Sequence, residues 1–197
     1  MTFAEDDLSA DKFLCGRLNL LQPRRGYRAA TDPVLLAAAC PAKAGESVLD
    51  MGCGAGAAML CLAARVANLD LHGLELQPDY ADLARRNAAR NGITATVHEG
   101  DLTQIPPALR RDFDHVIANP PFYPPGGTPS PVAGRAVAMH VDATPLAVWL
   151  LAAQRRLRPG GWLTMIFRTD GLAEVLGALG TLGSVEILPL APRAGRD

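Results

Sequence analysis

Short apolar runs alternate with longer helical segments along most of the chain, and this alternation restricts the possible folds more than any other feature. The apolar runs are typical of buried strands and lie at residues 46–52, 69–76, 94–101, 113–121, 162–168 and 184–190. Helices are predicted at residues 31–40, 55–67, 78–92, 145–161 and 171–183, whereas residues 1–26 show no strong period. Strands separated by helices of this length form parallel βαβ units. The sequence therefore predicts an α/β fold with a doubly wound, mostly parallel sheet.

Proline and glycine mark the ends of several predicted helices. Thr31 or Asp32 is the expected N-cap of the first helix, with Pro33 at the first helical position. Gly92 follows the third helix, and the run Pro159-Gly160-Gly161 is expected to close the helix at 145–161.

Length, charge and cysteine content exclude several classes of protein. A chain of 197 residues suits one domain, and a net charge of −1 excludes a wholly basic nucleic-acid binder but not a local basic patch. No apolar run reaches the length of a membrane span, and the acidic N-terminus is unlike a signal peptide. The four cysteines lack metal-ligand spacing, so reduced, mostly buried thiols are expected. The sequence predicts a cytoplasmic protein without a metal or a membrane partner.

The segment Asp50-Met51-Gly52-Cys53-Gly54-Ala55-Gly56 links a predicted strand to a predicted helix. Its glycines allow a sharp turn and let a ligand approach the backbone. The acidic residue stands before the turn, where it would repel a pyrophosphate and favour a cationic or amino-bearing ligand. The next two strands also end in acidic residues, Glu75 and Asp101. Glu75 can accept from ribose hydroxyls, and Asp101 can accept from an exocyclic amine. These positions predict a pocket for an adenosine with an amino-acid-like tail and no phosphates.

A stiff corner, Asn119-Pro120-Pro121-Phe122, ends the strand predicted at 113–121. Two consecutive prolines fix two φ angles and remove two backbone donors. The longest unpatterned stretch, residues 119–143, begins at this corner, and long loops in compact domains are usually lids or binding loops.

The segments "VLDMGCGAG", "GLELQPDYADLARRN", "GDL" and "FDHVIANPPFY" resemble the class I S-adenosylmethionine-dependent methyltransferases. The corner is similar to the (N/D)PP(Y/F) motif of the branch that methylates planar nitrogens. Upstream, "LLQPRRGYRAATDPVLLAAA" resembles the bacterial tRNA adenine-N6 methyltransferase family, which modifies the adenine beside the anticodon of a valine tRNA. The resemblance covers residues 14–190, with the motifs in the expected order.

The resemblance implies a Rossmann-like fold, S-adenosyl-L-methionine as cofactor, and a role for each matching residue. The methionine portion would be held by Asp50, Gly52, Cys53 and Gly54, the ribose by Glu75, and the adenine by Leu76, Asp101 and Leu102. Asn119 would orient the target nitrogen beside the cofactor, while Thr31 and Asp32 would lie in a segment that covers the cofactor. Residues 1–40 would form this N-terminal covering part and residues 41–197 the cofactor-binding core. The class normally ends with an antiparallel seventh strand, which this sequence lacks.

The same resemblance gives the corner a chemical role. An exocyclic amine is a poor nucleophile because its lone pair is delocalised into the ring, so it must be placed in line with the methyl sulfonium. The Asn119 side-chain oxygen and the Pro120 carbonyl can accept its two hydrogens, and Phe122 can stack on the base. A base in structured RNA must be flipped out or already looped to reach this position.

The substrate is less constrained than the cofactor. An adenine in tRNA is favoured by the N-terminal segment, with Arg24, Arg25, Arg28 and Arg135 as candidate phosphate contacts, although the first three could also be a solvated charged face. A guanine-N2 amine in ribosomal RNA and a protein glutamine amide present a similar planar nitrogen, and Phe122 in place of tyrosine mildly favours guanine. A cofactor-binding module without activity is disfavoured by the intact Asn119. The oligomeric state is not predicted.

Overall fold

The computed structural model describes residues 2–121 and 144–191. Its strands, in chain order, are β1 (Leu8–Phe13), β2 (Leu18–Pro23), β3 (Ser47–Met51), β4 (Asp70–Glu75), β5 (Thr96–Glu99), β6 (Phe113–Ala118) and β7 (Leu157–Met165). Its α-helices are α1 (Asp32–Ala39), α2 (Ala57–Arg65), α3 (Pro78–Arg90), α4 (Leu146–Gln154) and α5 (Leu172–Gly177).

Five strands form one parallel sheet in the order β5-β4-β3-β6-β7. The chain moves outward from β3 to β5 and then returns to the other side of β3, so the strand order switches between β3 and β6. Ligands of open α/β sheets bind beyond the carboxyl ends of the strands at such a switch point. The predicted doubly wound α/β fold is therefore confirmed, and the switch point locates the candidate site.

Burial explains why the central elements form where they do. Val48, Leu49 and Met51 of β3 are fully buried, as expected for a central parallel strand with both faces covered. Leu18, Leu20 and Leu36 from the N-terminal region share one apolar core with helix α2. In the described residues, no helix is both long enough and apolar enough to cross a membrane. Most of the thiols are buried, as predicted: Cys40, Cys53 and Cys61 are buried and Cys15 is exposed.

The N-terminal region forms an antiparallel hairpin, β1–β2, which the sequence patterns did not predict. Asn87 of α3 and Asn91, which directly follows the helix, bind the hairpin through its backbone. Asn87 accepts from the Leu21 N–H at 2.7 Å and donates to the Leu21 carbonyl at 3.0 Å. Asn91 accepts from the Asn19 N–H at 2.8 Å and donates to its carbonyl at 3.0 Å. The two amides replace a neighbouring strand, which is why a strand can lie here without a strongly alternating sequence.

The C-terminal third departs from the predicted elements in three places. Helix α4 ends at Gln154, and the Pro159-Gly160-Gly161 run lies inside β7 rather than at a helix end. The run is accommodated by an irregularity in which Phe113 pairs with Leu157 and His115 with Trp162. Helix α5 covers only residues 172–177 of the predicted 171–183.

The strand predicted at residues 184–190 is wrong, because this segment adopts neither helix nor strand. Its apolar side chains are exposed, including Ile187 and Leu188 at 58% and 69%. An apolar, β-favouring pattern makes a strand only where a partner supplies hydrogen bonds, and none of the described residues pairs with this segment. Within the described ranges the parallel sheet ends at β7 and has no antiparallel seventh strand.

Candidate active site

A cavity of about 200 Å³ opens at the carboxyl ends of β3, β4 and β6. Nine residues that the sequence singled out line it: Asp50, Gly52, Cys53, Gly54, Glu75, Leu76, Asp101, Leu102 and Asn119. Thr31 and Pro120 are not among the lining residues, although their neighbours Pro33 and Pro121 are. Phe122 and Arg135 lie outside the described residues.

Asp50 is a buried carboxyl group at the end of β3, with 2% of its surface exposed. Its Oδ2 accepts a hydrogen bond from the Met59 N–H of α2 at 3.2 Å. Burial raises the pKa of Asp50 to about 7, and the nearby Glu75 adds to this rise. A carboxyl group held in this way would be stabilised as an anion by a cationic ligand in the cavity.

Glu75 stands at the end of the adjacent strand and is held by two backbone donors. The Gly54 N–H donates to Oε2 at 2.8 Å and the Gln77 N–H to Oε1 at 2.9 Å. Burial raises its pKa, and these hydrogen bonds oppose the rise. Because each carboxylate oxygen has a second lone pair, Glu75 can still accept from two ligand hydroxyls.

Two glycines of the turn after β3 have positive φ angles, and one of them leaves no room for a side chain. Gly52 has φ +71°, and a Cβ there would lie 2.6 Å from Cη2 of Trp149. Gly54 has φ +53° and faces the Tyr27 ring. The Gly52 and Cys53 N–H groups both donate to the Leu74 carbonyl, at 2.8 and 3.0 Å, which fixes the turn on β4. At Gly52 and Gly54 the wall of the cavity is therefore formed by the backbone, which a ligand can contact directly.

Asp101 and Asn119 complete the polar lining. Asp101 Oδ1 accepts from the Thr103 N–H at 2.7 Å, which holds the carboxylate at the start of a short 3₁₀ turn. Asn119 directly follows β6 and is half-buried, next to the buried Pro120. The ends of four strands thus bring together carboxyl and amide groups that are up to 69 positions apart in the sequence.

Three aromatic residues of the cavity were missed by the sequence analysis: Tyr27, Tyr80 and Trp149. Trp149 packs on Gly52, and its buried Nε1 has no hydrogen-bond partner in the described part of the chain. Tyr80 is buried on α3. Trp149 lies outside the quoted motifs, and Tyr80 lies within the segment "GLELQPDYADLARRN" without a predicted role. Only the tertiary packing shows that these rings line one cavity.

The N-terminal arginines are exposed, and the side chains of Arg28 and Arg24 bond to the hairpin and to the turn before it. Arg28 forms an ion pair with Asp11 at 2.5 Å and donates to the Pro23 carbonyl at 2.8 Å. Arg24 Nε donates to the Asp6 carbonyl at 3.2 Å. The Arg28 guanidinium is therefore partly occupied by contacts within the protein, so Arg28 is considered apart from Arg25 as a candidate RNA contact.

The sheet order and the acidic cavity at its switch point are those expected of a class I S-adenosylmethionine-dependent methyltransferase. Within that class, the chain belongs to the methyltransferase small domain family, whose model matches residues 30–186. The family match spans every strand of the parallel sheet and every cavity residue named above except Tyr27.

Relatives and solved structures agree with this assignment. The chain is 29% identical over 177 residues to a Porphyromonas gingivalis protein named tRNA1(Val) (adenine(37)-N6)-methyltransferase, covering 85% of this chain and 69% of the relative. A predicted O-methyltransferase from Agrobacterium tumefaciens superposes with a TM-score of 0.58 at 28% identity, covering 76% of this chain and 67% of that one. A T. thermophilus 16S rRNA N2 methyltransferase, solved with AdoMet and guanosine, shares the fold with a TM-score of 0.62 at 20% identity, over 87% of this chain and 45% of that one.

Proposed function

We propose that this methyltransferase transfers a methyl group from S-adenosyl-L-methionine to the exocyclic N6 amine of an adenine in tRNA. The observation that carries the proposal is that Asn119 lines the same cavity as Asp50 and Glu75. The amine-binding corner and the cofactor groups therefore share one space. The names of relatives such as the Porphyromonas gingivalis protein favour tRNA as the substrate. A tRNA substrate implies an enzyme of the cytoplasm.

In this proposal the cofactor lies along the ends of β3, β4 and β5. Asp50 and the Gly52–Gly54 turn hold the methionine portion, and Glu75 accepts from the ribose hydroxyls. Asp101 accepts from the adenine amine, with Leu76 and Leu102 on the base. The N-terminal part, residues 1–40, covers the cofactor, and residues 41–197 bind it.

The reacting amine is held at the end of β6. The Asn119 side-chain oxygen and the Pro120 carbonyl accept its two hydrogens, so the nitrogen lone pair faces the methyl group. The nitrogen bonds to the methyl carbon as the carbon–sulfur bond breaks, and the amine then loses one proton. Because the product gives up this proton readily, positioning rather than a general base supplies the catalysis. Phe122, outside the described residues, is proposed to stack on the base.

The function is tested by incubating the protein with radiolabelled S-adenosylmethionine and total tRNA, followed by nucleoside analysis. We expect label in N6-methyladenosine. Parallel reactions with ribosomal RNA and with protein extract test for N2-methylguanosine and N5-methylglutamine, and label in either of these alone would contradict the proposal. A reaction without any labelled product would contradict the proposal, and calorimetric binding of S-adenosylmethionine by the same protein would then identify a cofactor-binding protein that lacks this activity.

Cofactor affinity should fall as the pH drops below about 7, because Asp50 must be ionised to attract the cationic methionine portion. Burial raises the pKa of Asp50 to about 7 in the free protein, and a bound cation would lower it. Binding therefore releases a proton at pH 6, and the dissociation constant should rise by up to about tenfold per pH unit. Calorimetry at pH 6 and pH 8, in two buffers of different ionisation enthalpy, measures both effects. Equal affinity at the two pH values without proton release would contradict an ionised Asp50 in binding.

Arg24 and Arg25 are proposed to contact RNA phosphates beside the cavity. The double replacement Arg24→Ala/Arg25→Ala should lower the salt slope of tRNA binding by about two units, since each lost phosphate contact lowers it by roughly one. Filter binding across a salt series measures the slope. The control is Arg155→Ala, an exposed arginine just before β7 and so at the amino ends of the parallel strands, whereas the cavity lies at their carboxyl ends. Arg28→Ala is measured separately because its guanidinium pairs with Asp11. An unchanged slope in the double variant would remove these arginines from the RNA site.

A further inference from the structure

The segment between β2 and α1, residues 24–31, crosses the cavity and is called the covering segment here. Tyr27 and Ala29 of this segment line the cavity. Near its C-terminal end, the covering segment is held by the side chain of the buried Gln22, which lies in β2. This side chain accepts from the Ala29 N–H at 2.7 Å and donates to the Ala29 carbonyl at 3.3 Å. A single side-chain amide thus closes residues 23–28 into a loop.

The Tyr27 peptide, in the middle of the covering segment, bonds to the Tyr80 hydroxyl group in both directions. The Tyr27 N–H donates to the Tyr80 hydroxyl oxygen at 3.0 Å, and that hydroxyl donates to the Tyr27 carbonyl at 3.2 Å. Tyr80 is itself fixed, being 3% exposed and packed edge-to-face on Phe3 with ring centroids 5.2 Å apart. Burial raises the pKa of Tyr80 to about 12, so its hydroxyl keeps its proton and can donate and accept at once.

This contact determines where the Tyr27 ring stands. Its Cε1 lies 3.7 Å from the position of a Cβ on Gly54, in the turn proposed to hold the methionine portion of the cofactor. The Gly54 N–H in turn donates to Glu75. Tyr80 lies on α3, whose first turn begins three residues after Glu75. Helix α3 therefore holds the covering segment through Tyr80, while the preceding strand, β4, holds the Gly54 turn through Glu75.

We propose that Tyr80 is a positioning residue whose hydroxyl keeps Tyr27 over the bound cofactor and slows cofactor release. The inference rests on the proposed cofactor site. Without the hydroxyl, the Tyr27 peptide loses both of these hydrogen bonds, and the covering segment opens more often. The reacting corner at Asn119 is on another strand and is unaffected.

The test is the replacement Tyr80→Phe, which keeps the ring and its contact with Phe3. Two hydrogen bonds of ordinary net strength correspond to about a tenfold change. We therefore expect the cofactor dissociation rate and the KM for cofactor to rise about tenfold, with kcat at saturating cofactor within about twofold of wild type. Stopped-flow displacement of S-adenosylhomocysteine and steady-state kinetics measure these quantities.

Limited digestion with trypsin gives a readout that does not require activity, because Arg24 and Arg25 lie in the covering segment. Cleavage there should be faster in Tyr80→Phe than in wild type, and S-adenosylhomocysteine should slow it in wild type. The variant Tyr27→Ala removes the ring but keeps the backbone bonds, so it should speed cofactor release without speeding cleavage. Asn91→Ala is the control, since it loses the hydrogen bonds that join the residue after α3 to the hairpin at Asn19 instead.

Wild-type cofactor release and cleavage rates in Tyr80→Phe would overturn the inference while leaving the proposed function intact. The same increase in Asn91→Ala would also overturn it, because the effect would then follow from general loosening of the hairpin. A wild-type protein that does not bind S-adenosylhomocysteine would overturn the cofactor site and this inference together.

Discussion

Replacing Asn119 with alanine should lower kcat by about two to three orders of magnitude while cofactor affinity stays within about twofold. The side chain is proposed to accept a hydrogen of the reacting amine, an interaction that matters most when the lone pair is aimed at the methyl group. Because Asn119 follows β6 whereas Asp50 and Glu75 end β3 and β4, the cofactor contacts should survive the substitution. Single-turnover methyl transfer with saturating cofactor, together with calorimetry of cofactor binding, separates the two effects.

The control for this prediction is Asn119→Asp, which keeps an oxygen acceptor at the same position. It should retain more activity than Asn119→Ala, since the acceptor rather than the amide nitrogen is the working group. Near wild-type turnover in Asn119→Ala would show that the amine is not positioned by this side chain. A large loss of cofactor affinity instead would place Asn119 in the cofactor site rather than in the reaction.

Replacing Asp50 with asparagine should weaken cofactor binding by about a hundredfold, because a charged hydrogen-bonding partner of the cofactor is lost.

The same change from Asp50 to asparagine should stabilise the free protein at pH 8. The folded pKa of Asp50 is raised from 3.8 to about 7, so the carboxyl group binds its proton more tightly when folded. Its contribution to stability is therefore greatest at acidic pH and is lost as the pH rises through 7.

The expected stability gain depends on pH. A shift of this extent corresponds to roughly 4 kcal/mol at pH 8, which is several degrees in melting temperature. Thermal unfolding without cofactor should show Asp50→Asn above wild type at pH 8, with the difference shrinking toward pH 4. Asp112→Asn, an exposed acid outside the cavity lining, is the control. Equal melting temperatures at pH 8 would show that burying the ionised Asp50 carboxyl group does not lower the stability of the folded protein. Unchanged calorimetric affinity of Asp50→Asn for the cofactor would remove Asp50 from the cofactor site.

The elements around the site were predictable because their signals are local. Helix α1 begins at Asp32 with Pro33 in its first turn, and α3 begins at Pro78, as the sequence indicated. Further along, the same kind of signal failed at Pro159-Gly160-Gly161, which the structure places inside β7. A proline and two glycines disfavour a helix, but an edge strand with an irregularity accommodates them as well as a loop does.

The sequence by itself determined which residues reach the cavity from the strand ends. Asp50, Glu75, Asp101 and Asn119 could be named because each stands at or just after the end of a recognisable strand. Parallel connections bring the carboxyl ends of such strands to one edge of the sheet. Only the tertiary structure decided what covers that edge. Tyr27 and Tyr80 are 53 positions apart and meet through a hydroxyl and a backbone peptide, while Trp149 reaches Gly52 from a helix almost a hundred positions away. Such contacts depend on the packing of whole elements against each other, and no short-range pattern of residues encodes them.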